Sequence, residues 1–545
     1  MCLVATWLTR AARWSGLGWL SVPAALLLLN VSLTFANIWP TPGIRLTAEL
    51  SLEAWGAVLL MTLARRWFDG PWPRVASVGG GFWLALVVGR YVEVTSRALY
   101  GRDPNLYWDL RHLPSVGAMF AEVADPWLKA GVVLAAVTGP VLAYLLFRRA
   151  WITLVEAART PRLRDGIAVV AALMVSAGLV ARVGGAEVGI GVAEPVAPVF
   201  ARELTELAYE ASGTGLRDLG PAPRLDSDLS RLDGADVFLF FLESYGAVSW
   251  ERQAFAEALA PRRAVLAADI GETGRGVVSA YVDSTTFGGE SWLAHISLLS
   301  GTEVRDQSTN TRLMAQERDT MVKLFGRRGY RTTAIMPGML VGWPEGAFYG
   351  FDRIYDHDAI DYRGPPFGWW SVNDQFALAR VDEAEIAAWP RPPVFTFFAT
   401  ITTHAPFVPT PPFQPDWARV LSDEPYDAAD LDAAWSAWPN WLDLGPSYLT
   451  AMDYAFANVG GYLRLRADRE LVMVLVGDHQ PPALVSGEAA TWAVPVHVIA
   501  DRPAVLDRLV TRHGFAEGLV PSNGVVAQMD TLLPILLDAF GDPVP

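Results

Sequence analysis

A fully apolar run that ends in a carboxylate is the feature that most constrains this fold. It covers 236–243 and reads Asp-Val-Phe-Leu-Phe-Phe-Leu-Glu. Its counterpart, 471–479, reads Leu-Val-Met-Val-Leu-Val-Gly-Asp-His. Continuous apolar runs of this length are typical of strands in a parallel sheet that is covered on both faces. Because ligands bind outside the carboxyl ends of such strands, the runs predict Glu243, Asp478 and His479 at one edge.

Two carboxylates and an imidazole that converge on one edge are suitable ligands for a divalent metal ion. This ligand set lacks a thiolate and is compatible with manganese, magnesium or zinc. The one cysteine of the chain, Cys2, excludes a disulfide framework within it. The sequence therefore predicts one divalent ion as cofactor.

A third segment, 285–301, supplies a hydroxyl group. Its Gly-Gly turn precedes Ser291, and apolar residues follow at helical spacing, at Trp292, Ile296 and Leu299. A serine at or near the start of a helix faces unpaired N–H groups and the positive end of the helix dipole, which suits phosphate or sulfate. A nearby metal would lower the pKa of the hydroxyl and activate it as a nucleophile. For Ser291 alone, an ordinary capping serine is the alternative.

Two histidines are further candidates. The apolar segment 393–399 predicts a buried strand, and His404 follows it, which brings this imidazole to the same edge. His295 falls one turn after Ser291 on the predicted helix, and it either approaches the site or packs in the core.

The order of these motifs resembles the alkaline phosphatase superfamily, in the sulfatase-like branch of lipoteichoic acid synthases and membrane phosphoglycerol transferases. The motifs are strand-Glu, Phe-Gly-Gly-x-Ser/Thr before a helix that ends Leu-x-Gly, Thr-x-His-x-Pro-Phe and Gly-Asp-His, over roughly 235–540. The resemblance implies Ser291 as the nucleophile and His404 as a contact of the substrate's anionic group. It also implies one manganese-type ion with four ligands: Glu243, Ser291, Asp478 and His479.

The chain departs from the family pattern at two places. The nucleophile position holds Ser where the family has Thr. The stretch around Trp343 resembles the family's substrate-binding segment, but Pro344 or Glu345 stands where the family has a phosphate-gripping Arg. The charge of the substrate therefore stays open. Ser291 is followed by Trp-Leu-Ala-His rather than x-Pro-x-Arg, so formylglycine chemistry is not expected.

Hydrophobic residues concentrate before residue 185. Apolar stretches predict a bundle of about five transmembrane helices, at 15–38, 52–66, 75–92, 127–147 and 165–182. The second stretch is short, and an interfacial helix is its alternative.

Basic residues predict the orientation of this bundle. Arginines cluster near 10–13, 65–74 and 148–164, on the side that the positive-inside rule makes cytoplasmic. Five spans then place the following domain outside. The net charge of −15 argues against nucleic-acid binding.

These patterns together predict a multi-pass protein of the inner membrane. Its parts are a transmembrane region at 1–183, a juxtamembrane linker with an amphipathic helix at 184–235, and an extracytoplasmic catalytic domain at 236–545. That domain is predicted to be an alkaline-phosphatase-like α/β sandwich with a mostly parallel sheet.

The predicted function is metal-dependent transfer of a phosphoglycerol- or phosphoethanolamine-like group to envelope glycans or lipids through a covalent Ser291 intermediate. The donor is expected to be a membrane lipid or lipid-linked molecule, and the acceptor a glycan or water. His404, Trp343 and His295 are the predicted substrate contacts. One alternative is a sulfatase-like hydrolase of phosphate or sulfate esters; another is a catalytically impaired pseudoenzyme that binds the envelope.

Overall fold

The structure, a computed structural model, describes most of the chain. The described residues are 21–38, 43–68, 70–100, 103–107, 109–110, 117, 126–184, 191–212, 219, 221–339, 343, 345–368, 371–388, 390–440, 443–487 and 490–543. They fall into two compact units, one built mainly from residues before 216 and one from residues after it. The first is called the helical unit and the second the α/β unit.

The helical unit consists of six helices and one short hairpin in its described residues. Its core is formed by residues of several helices, among them Leu29, Trp83 and Leu154. The elements are α1 (Ser21–Val31), β1 (Phe35–Asn37), β2 (Ile44–Leu46), α2 (Leu52–Trp67), α3 (Trp72–Tyr100), α4 (Pro126–Ala157), α5 (Pro161–Gly184) and α6 (Val196–Ser212).

Three described helices are long and apolar enough to cross a membrane. They cover Trp72–Ala98, Pro126–Ala157 and Pro161–Val183, and they contain the third, fourth and fifth predicted spans. Helices α1 and α2 have 11 and 16 described residues, fewer than the roughly 20 that a bilayer core requires. The predicted count of about five spans is therefore not confirmed, and residues 15–20 of the first predicted span lie outside the described residues.

The first predicted span also differs at its C-terminal end. Helix α1 ends at Val31, and strand β1 begins at Phe35. The side chain of buried Asn30 accepts hydrogen bonds from the Ser51 backbone and the Trp55 indole, at 3.0 and 2.9 Å. These bonds tie the end of α1 to the start of α2, an interaction that average hydropathy does not record.

The α/β unit is built on a mixed sheet with nine strands in the described residues. Its central strands β8, β3, β7, β5 and β6 run parallel, whereas β9 is antiparallel to β8 and β4. The strands are β3 (Asp236–Leu242), β4 (Gly276–Asp283), β5 (Arg331–Met336), β6 (Arg353–Asp356), β7 (Val394–Ala399), β8 (Leu471–Gly477), β9 (Ala493–Ala500), β10 (Ala516–Glu517) and β11 (Val525–Gln528). The mostly parallel sheet predicted from the apolar runs is confirmed.

Helices cover both faces of this sheet, which explains why the central strands are apolar throughout. Along β3, Val237, Leu239 and Phe241 pack on one face, and Phe238 and Phe240 pack on the other. The helices are α7 (Val248–Glu251), α8 (Gln253–Glu272), α9 (Ser291–Ser300), α10 (Gln307–Met314), α11 (Met321–Arg327), α12 (Gly346–Tyr349), α13 (His357–Ile360), α14 (Asp374–Val381), α15 (Trp417–Val420), α16 (Ala428–Trp435), α17 (Gly445–Leu465), α18 (Ala483–Ser486), α19 (Pro503–His513) and α20 (Leu532–Phe540).

Candidate active site

The register of β3 and β8 brings the two predicted carboxylates side by side. Leu242 pairs with Gly477 at the carboxyl ends of these parallel strands, so Glu243 and Asp478 follow at the same level. A side chain at Gly477 would overlap the carbonyl oxygen of Tyr245, so glycine permits this close approach. The strand order therefore fixes where both acids lie.

Glu243, Asp478 and His479 form one buried cluster. One ligand atom from each lies within 4.8 Å of the others. The Nε2 atom of His479 lies 3.4 Å from Glu243 Oε1 and 3.8 Å from Asp478 Oδ2. The structure thus brings together the three residues that the sequence predicts as metal ligands.

Hydrogen bonds to the backbone orient these side chains. The Nδ1 atom of His479 donates to the carbonyl oxygen of Gln480 at 2.7 Å, which turns Nε2 toward the carboxylates. Asp478 Oδ1 accepts from the backbone N–H groups of Ser244 and His479, at 2.8 and 2.6 Å. Partners of this kind fix the tautomer and the orientation of metal ligands.

Ser291 contributes its hydroxyl to the same cluster. Its Oγ atom donates to Glu243 Oε2 at 2.8 Å and lies 3.2 Å from His479 Nε2. Helix α9 begins at Ser291, and Glu290 occupies the N-cap position in a left-handed conformation without a side-chain cap. The serine hydroxyl therefore points toward the cluster instead of capping the helix.

The ionisable groups of the cluster shift one another's pKa values. Burial would raise the pKa of Glu243, but the attraction of His479 holds that pKa below its ordinary value. Burial, followed by repulsion from Glu243, raises the pKa of Asp478 well above its usual range. Burial lowers the pKa of His479, but Asp478 and Glu243 together raise it to about 9. Two buried acids beside one imidazole are a donor set that fits a cation.

His404 lies at the same end of the sheet, after strand β7. Its Nδ1 atom donates to the carbonyl oxygen of Ala405 at 2.7 Å. The charge of His404 contributes to the lowered pKa of Glu243, so His404 lies within electrostatic range of the cluster. Its role as a substrate contact stays a prediction.

The other two predicted substrate contacts are packed among aromatic rings. His295 is buried between Phe241 and Phe397, with ring centroids 4.5 and 5.4 Å away, and burial lowers its pKa to about 3. Trp343 packs against Tyr349, at 5.2 Å between centroids. Pro344 lies outside the described residues. For both contacts, substrate binding stays a prediction.

Sequence reasoning missed two residues that support the site. The Thr400 hydroxyl accepts a hydrogen bond from the backbone N–H of Glu243 at 3.0 Å. The buried Asp374 carboxylate accepts from the backbone N–H groups of Ile401 and Thr402, at 2.8 and 3.0 Å, and so holds the segment that leads to His404. Asp374 is distant in the sequence from every motif and follows no apolar run, so no local signal marks it.

Comparisons with known proteins were consistent with the motifs. Residues 295–493 match the family model described as Sulfatase, a segment that includes His404, Asp478 and His479. No curated protein matches the chain.

Several solved structures are similar to this chain. Lipooligosaccharide phosphoethanolamine transferase A from Neisseria meningitidis is 12% identical over 90% of this chain and 87% of its own, with a TM-score of 0.47. Lipoteichoic acid synthase LtaP from Listeria monocytogenes is 14% identical over 54% and 71%, with a TM-score of 0.33. Streptococcus pyogenes phosphoglycerol transferase GacH, solved with sn-glycerol-1-phosphate, is 10% identical over 62% and 90%, also with a TM-score of 0.33.

Similarity at this level of identity does not identify the reaction of this chain. The Sulfatase match covers residues 295–493 of the predicted catalytic domain, 236–545, so Glu243 and Ser291 precede it. The predicted resemblance of the chain to the sulfatase-like alkaline phosphatase superfamily is confirmed by this match.

Proposed function

We propose that this chain is a membrane-anchored, metal-dependent enzyme that transfers a phosphoryl-type group through Ser291. One observation carries the proposal. The Ser291 hydroxyl lies 2.8 Å from Glu243 and 3.2 Å from His479, two of the three residues whose ligand atoms cluster together. A hydroxyl in hydrogen-bond reach of such a group has the geometry of an activated nucleophile.

The donor atoms of the site fit a divalent cation. Glu243, Asp478 and His479 would hold it, with Ser291 as a fourth ligand or near neighbour. Manganese is favoured by the family resemblance, and magnesium or zinc would also suit these oxygen and nitrogen ligands. When bound, such an ion lowers the pKa of the serine hydroxyl and neutralises negative charge.

The residues of the chain supply positioning for the transfer. Glu243 accepts the hydroxyl hydrogen bond and thereby orients Ser291 Oγ. That oxygen loses its proton and bonds to phosphorus, while the bond from phosphorus to the donor's alcohol breaks and the departing oxygen takes up a proton. The N–H groups at the start of α9, together with His404, would hold the non-bridging oxygens.

The helical unit supports a donor from the membrane and a catalytic unit outside the cytoplasm. Arg159, Arg162 and Arg164 lie at the start of α5, where the positive-inside rule favours the cytoplasmic side. Helix α5 is long enough to cross the bilayer from there. The chain that follows it would then be extracytoplasmic, whatever the number of earlier spans. A membrane lipid or lipid-linked donor and a glycan or water acceptor are consistent with this placement.

The nucleophile is tested by replacing Ser291 in the full-length protein. The chain is purified in detergent with manganese and supplied with p-nitrophenyl phosphodiesters of glycerol or ethanolamine. Ser291→Ala should lower turnover by about 10³-fold or more, and Ser291→Thr should retain part of it because the hydroxyl remains. Ser422→Ala, at an exposed serine, is the matched control.

The position of the covalent intermediate gives a second test of the nucleophile. A trapped intermediate, digested and weighed by mass spectrometry, should carry its added mass on Ser291. Added mass on Thr285 or Thr286, or full activity of Ser291→Ala, would reject the mechanism.

Placement across the membrane is tested with reporter fusions. A phosphatase reporter fused after Pro195 should be active in cells, because that enzyme folds only outside the cytoplasm, and one fused near Arg159 should be silent. The reverse pattern would show that the orientation is wrong.

A further inference from the structure

A cavity of about 740 Å³ lies in the α/β unit on the β4–β9 side of the sheet. Its walls come from helix α7, the end of β4, the start of β9 and the segment before β11, and they include Trp250, Tyr281, Asp283, Trp492 and Asn523. Its volume is in the range of ligand-binding cavities, roughly 300–1,000 Å³. We propose that it binds a neutral glycan as the acceptor of the group carried on Ser291, an inference that rests on the proposed function.

One wall of the cavity continues into the candidate active site. Ser284 lines the cavity, and its hydroxyl donates to the carbonyl oxygen of Asp478. Its backbone N–H donates to the carbonyl oxygen of Trp492 at 3.0 Å. The Trp492 ring packs against Phe287, at 5.8 Å between centroids, in the segment that leads to Ser291. A ligand in the cavity would therefore lie against Ser284 and Trp492, the lining residues that contact Asp478 and Phe287.

The aromatic walls are held in fixed positions. The Trp250 indole donates to the Tyr245 hydroxyl at 2.7 Å, and the buried guanidinium of Arg263 lies 3.5 Å over its ring. Trp492 packs against Phe287, and the guanidinium of Arg305 lies 5.7 Å from its ring centroid. Rigid rings lose little conformational entropy on binding, and their electron-rich faces attract the polarised C–H groups of a sugar ring.

The charges of the cavity argue against an anionic ligand. Glu251 and Asp283 line it with two carboxylates. Arg305, the one cation among the described lining residues, already bonds Glu303 at 2.7 Å. A phosphate or sulfate would meet net repulsion there, whereas the hydroxyls of a neutral sugar can donate to both carboxylates. The amide of Asn523 and the hydroxyl of Thr491 add groups that both donate and accept.

The second half of the transfer follows from this placement. A hydroxyl oxygen of the bound glycan bonds to the phosphorus carried on Ser291. The bond between phosphorus and Ser291 Oγ breaks, and the proton of the glycan hydroxyl passes to the serine oxygen. The products are a phosphodiester of the glycan and the free enzyme.

The test fills the cavity without touching the cluster that carries Ser291. Val520 lines the cavity and is 66% exposed, so Val520→Trp should fit the fold while occupying the space. Val265→Trp, on the exposed face of α8 and 45% exposed before substitution, is the matched control. Val525→Trp, on another wall of the cavity and 43% exposed before substitution, is a second filling variant that should act in the same way.

Three measurements use the full-length protein in detergent. The probes are maltohexaose, a galactan hexasaccharide and the hexamer of N-acetylglucosamine, with a p-nitrophenyl phosphodiester as donor. Calorimetry measures sugar binding, nitrophenol release in water measures donor cleavage, and mass spectrometry measures transfer to sugar. Both filling variants should weaken sugar binding and transfer at least tenfold and leave nitrophenol release in water unchanged, and Val265→Trp should alter none of them.

The outcomes separate the two proposals. Equal sugar binding by wild type and both filling variants, or binding of none of the three sugars by wild type, overturns the glycan site. Sugar binding that the filling variants abolish, in a protein that cleaves no phosphodiester, retains the glycan site and overturns the proposed function.

Discussion

The helical unit and the α/β unit place the same kinds of apolar residue in opposite ways. In helix α4, Val132, Val133 and Leu134 expose 46–64% of their surface. In strand β8, every residue from Leu471 to Gly477 is buried. The outer face of α4 suits hydrocarbon, whereas β8 is enclosed by its own protein. An apolar run therefore predicts that its side chains avoid water. Its length and its neighbours in the sequence decide whether lipid or other parts of the protein surround those side chains.

The two units also differ in how they compensate buried charge. In the helical unit, Glu93 is fully buried and pairs with Arg90 and Arg97, at 3.4 and 3.0 Å. In the α/β unit, the buried acids Glu243 and Asp478 have one imidazole between them. The first cluster pairs its acid with two arginines, whereas the second has donor atoms that could hold a cation. This contrast separates a structural ion network from a candidate reaction centre.

Introducing a charge at matched valines should give the largest effect and the clearest contrast. Val474→Asp places an unpaired carboxylate in the middle of the sheet and should cost about 4 kcal/mol or more, enough to unfold the α/β unit. Val133→Asp should leave that unit folded and instead reduce membrane insertion of α4, by about 2.5–3.5 kcal/mol. Denaturant unfolding and a glycosylation-based insertion assay measure the two effects. Normal insertion of Val133→Asp would contradict the lipid-facing assignment.

Removal of metal should affect one unit only. If a divalent ion binds the cluster around Asp478, saturation at 100 times its Kd stabilises the α/β unit by about 2.7 kcal/mol. A chelator should then lower the Tm of that unit and leave the transition of the helical unit in place. Differential scanning calorimetry, with manganese, magnesium or zinc added back, checks this. Asp478→Ala should remove the response, and an unchanged Tm in wild type would contradict the metal site.

How much the sequence could predict also differs between the units. The apolar runs of β3 and β8 predict strands of one parallel sheet, which places Glu243 and Asp478 at the same edge. The structure adds that the two strands are neighbours. The supporting contacts of Asp374 and Thr400 could not be predicted. Asp374 depends on where α14 begins beside the segment after β7, and Thr400 depends on the pairing of β7 with β3. Local patterns record the strand and its terminal residue but not which distant side chain reaches that backbone.

In the helical unit, hydropathy predicted the positions of α3, α4 and α5. It placed the end of the first apolar helix at residue 38, whereas α1 ends at Val31. The average hydropathy of a segment does not include the hydrogen bonds of Asn30, which tie the end of α1 to Ser51 and Trp55. The register of strands is determined by many residues at once, whereas one polar side chain can end a helix.

Alkaline pH should weaken the metal-free α/β unit by a smaller amount. The folded pKa of His479, about 9, lies above its ordinary value of 6.5. Its stabilisation is therefore complete below pH 6.5 and is lost as the pH rises through 9. The raised pKa of Asp478 acts in the same direction. Unfolding in urea with chelator should show a loss on the order of 1–3 kcal/mol over this window.

Two variants control this pH measurement. His479→Gln should flatten the slope, and His513→Gln, at a partly exposed histidine remote in sequence from the site, should keep it. The one histidine before residue 216 is His112, so the sequence gives the helical unit little to titrate in this range. A slope of undiminished size in His479→Gln would show that His479 does not contribute.

The smallest effect compares one ion pair in each unit. Asp538 bonds Arg508 at 2.9 Å and His513 at 2.8 Å, and these bonds, that of Arg508 first, hold its pKa below the ordinary value. Its contribution is therefore present above that ordinary value and is lost as the pH falls. Asp165 lies 3.8 Å from Arg66 and accepts a hydrogen bond from its chain neighbour Arg164 at 2.9 Å, and its side chain is 55% exposed, against 27% for Asp538. Asp538→Asn should destabilise its unit by about 0.5–1 kcal/mol at pH 7, and Asp165→Asn by less than about 0.3 kcal/mol. Urea unfolding of the two variants in detergent measures both; equal losses would show that the lower exposure of Asp538 does not set its contribution.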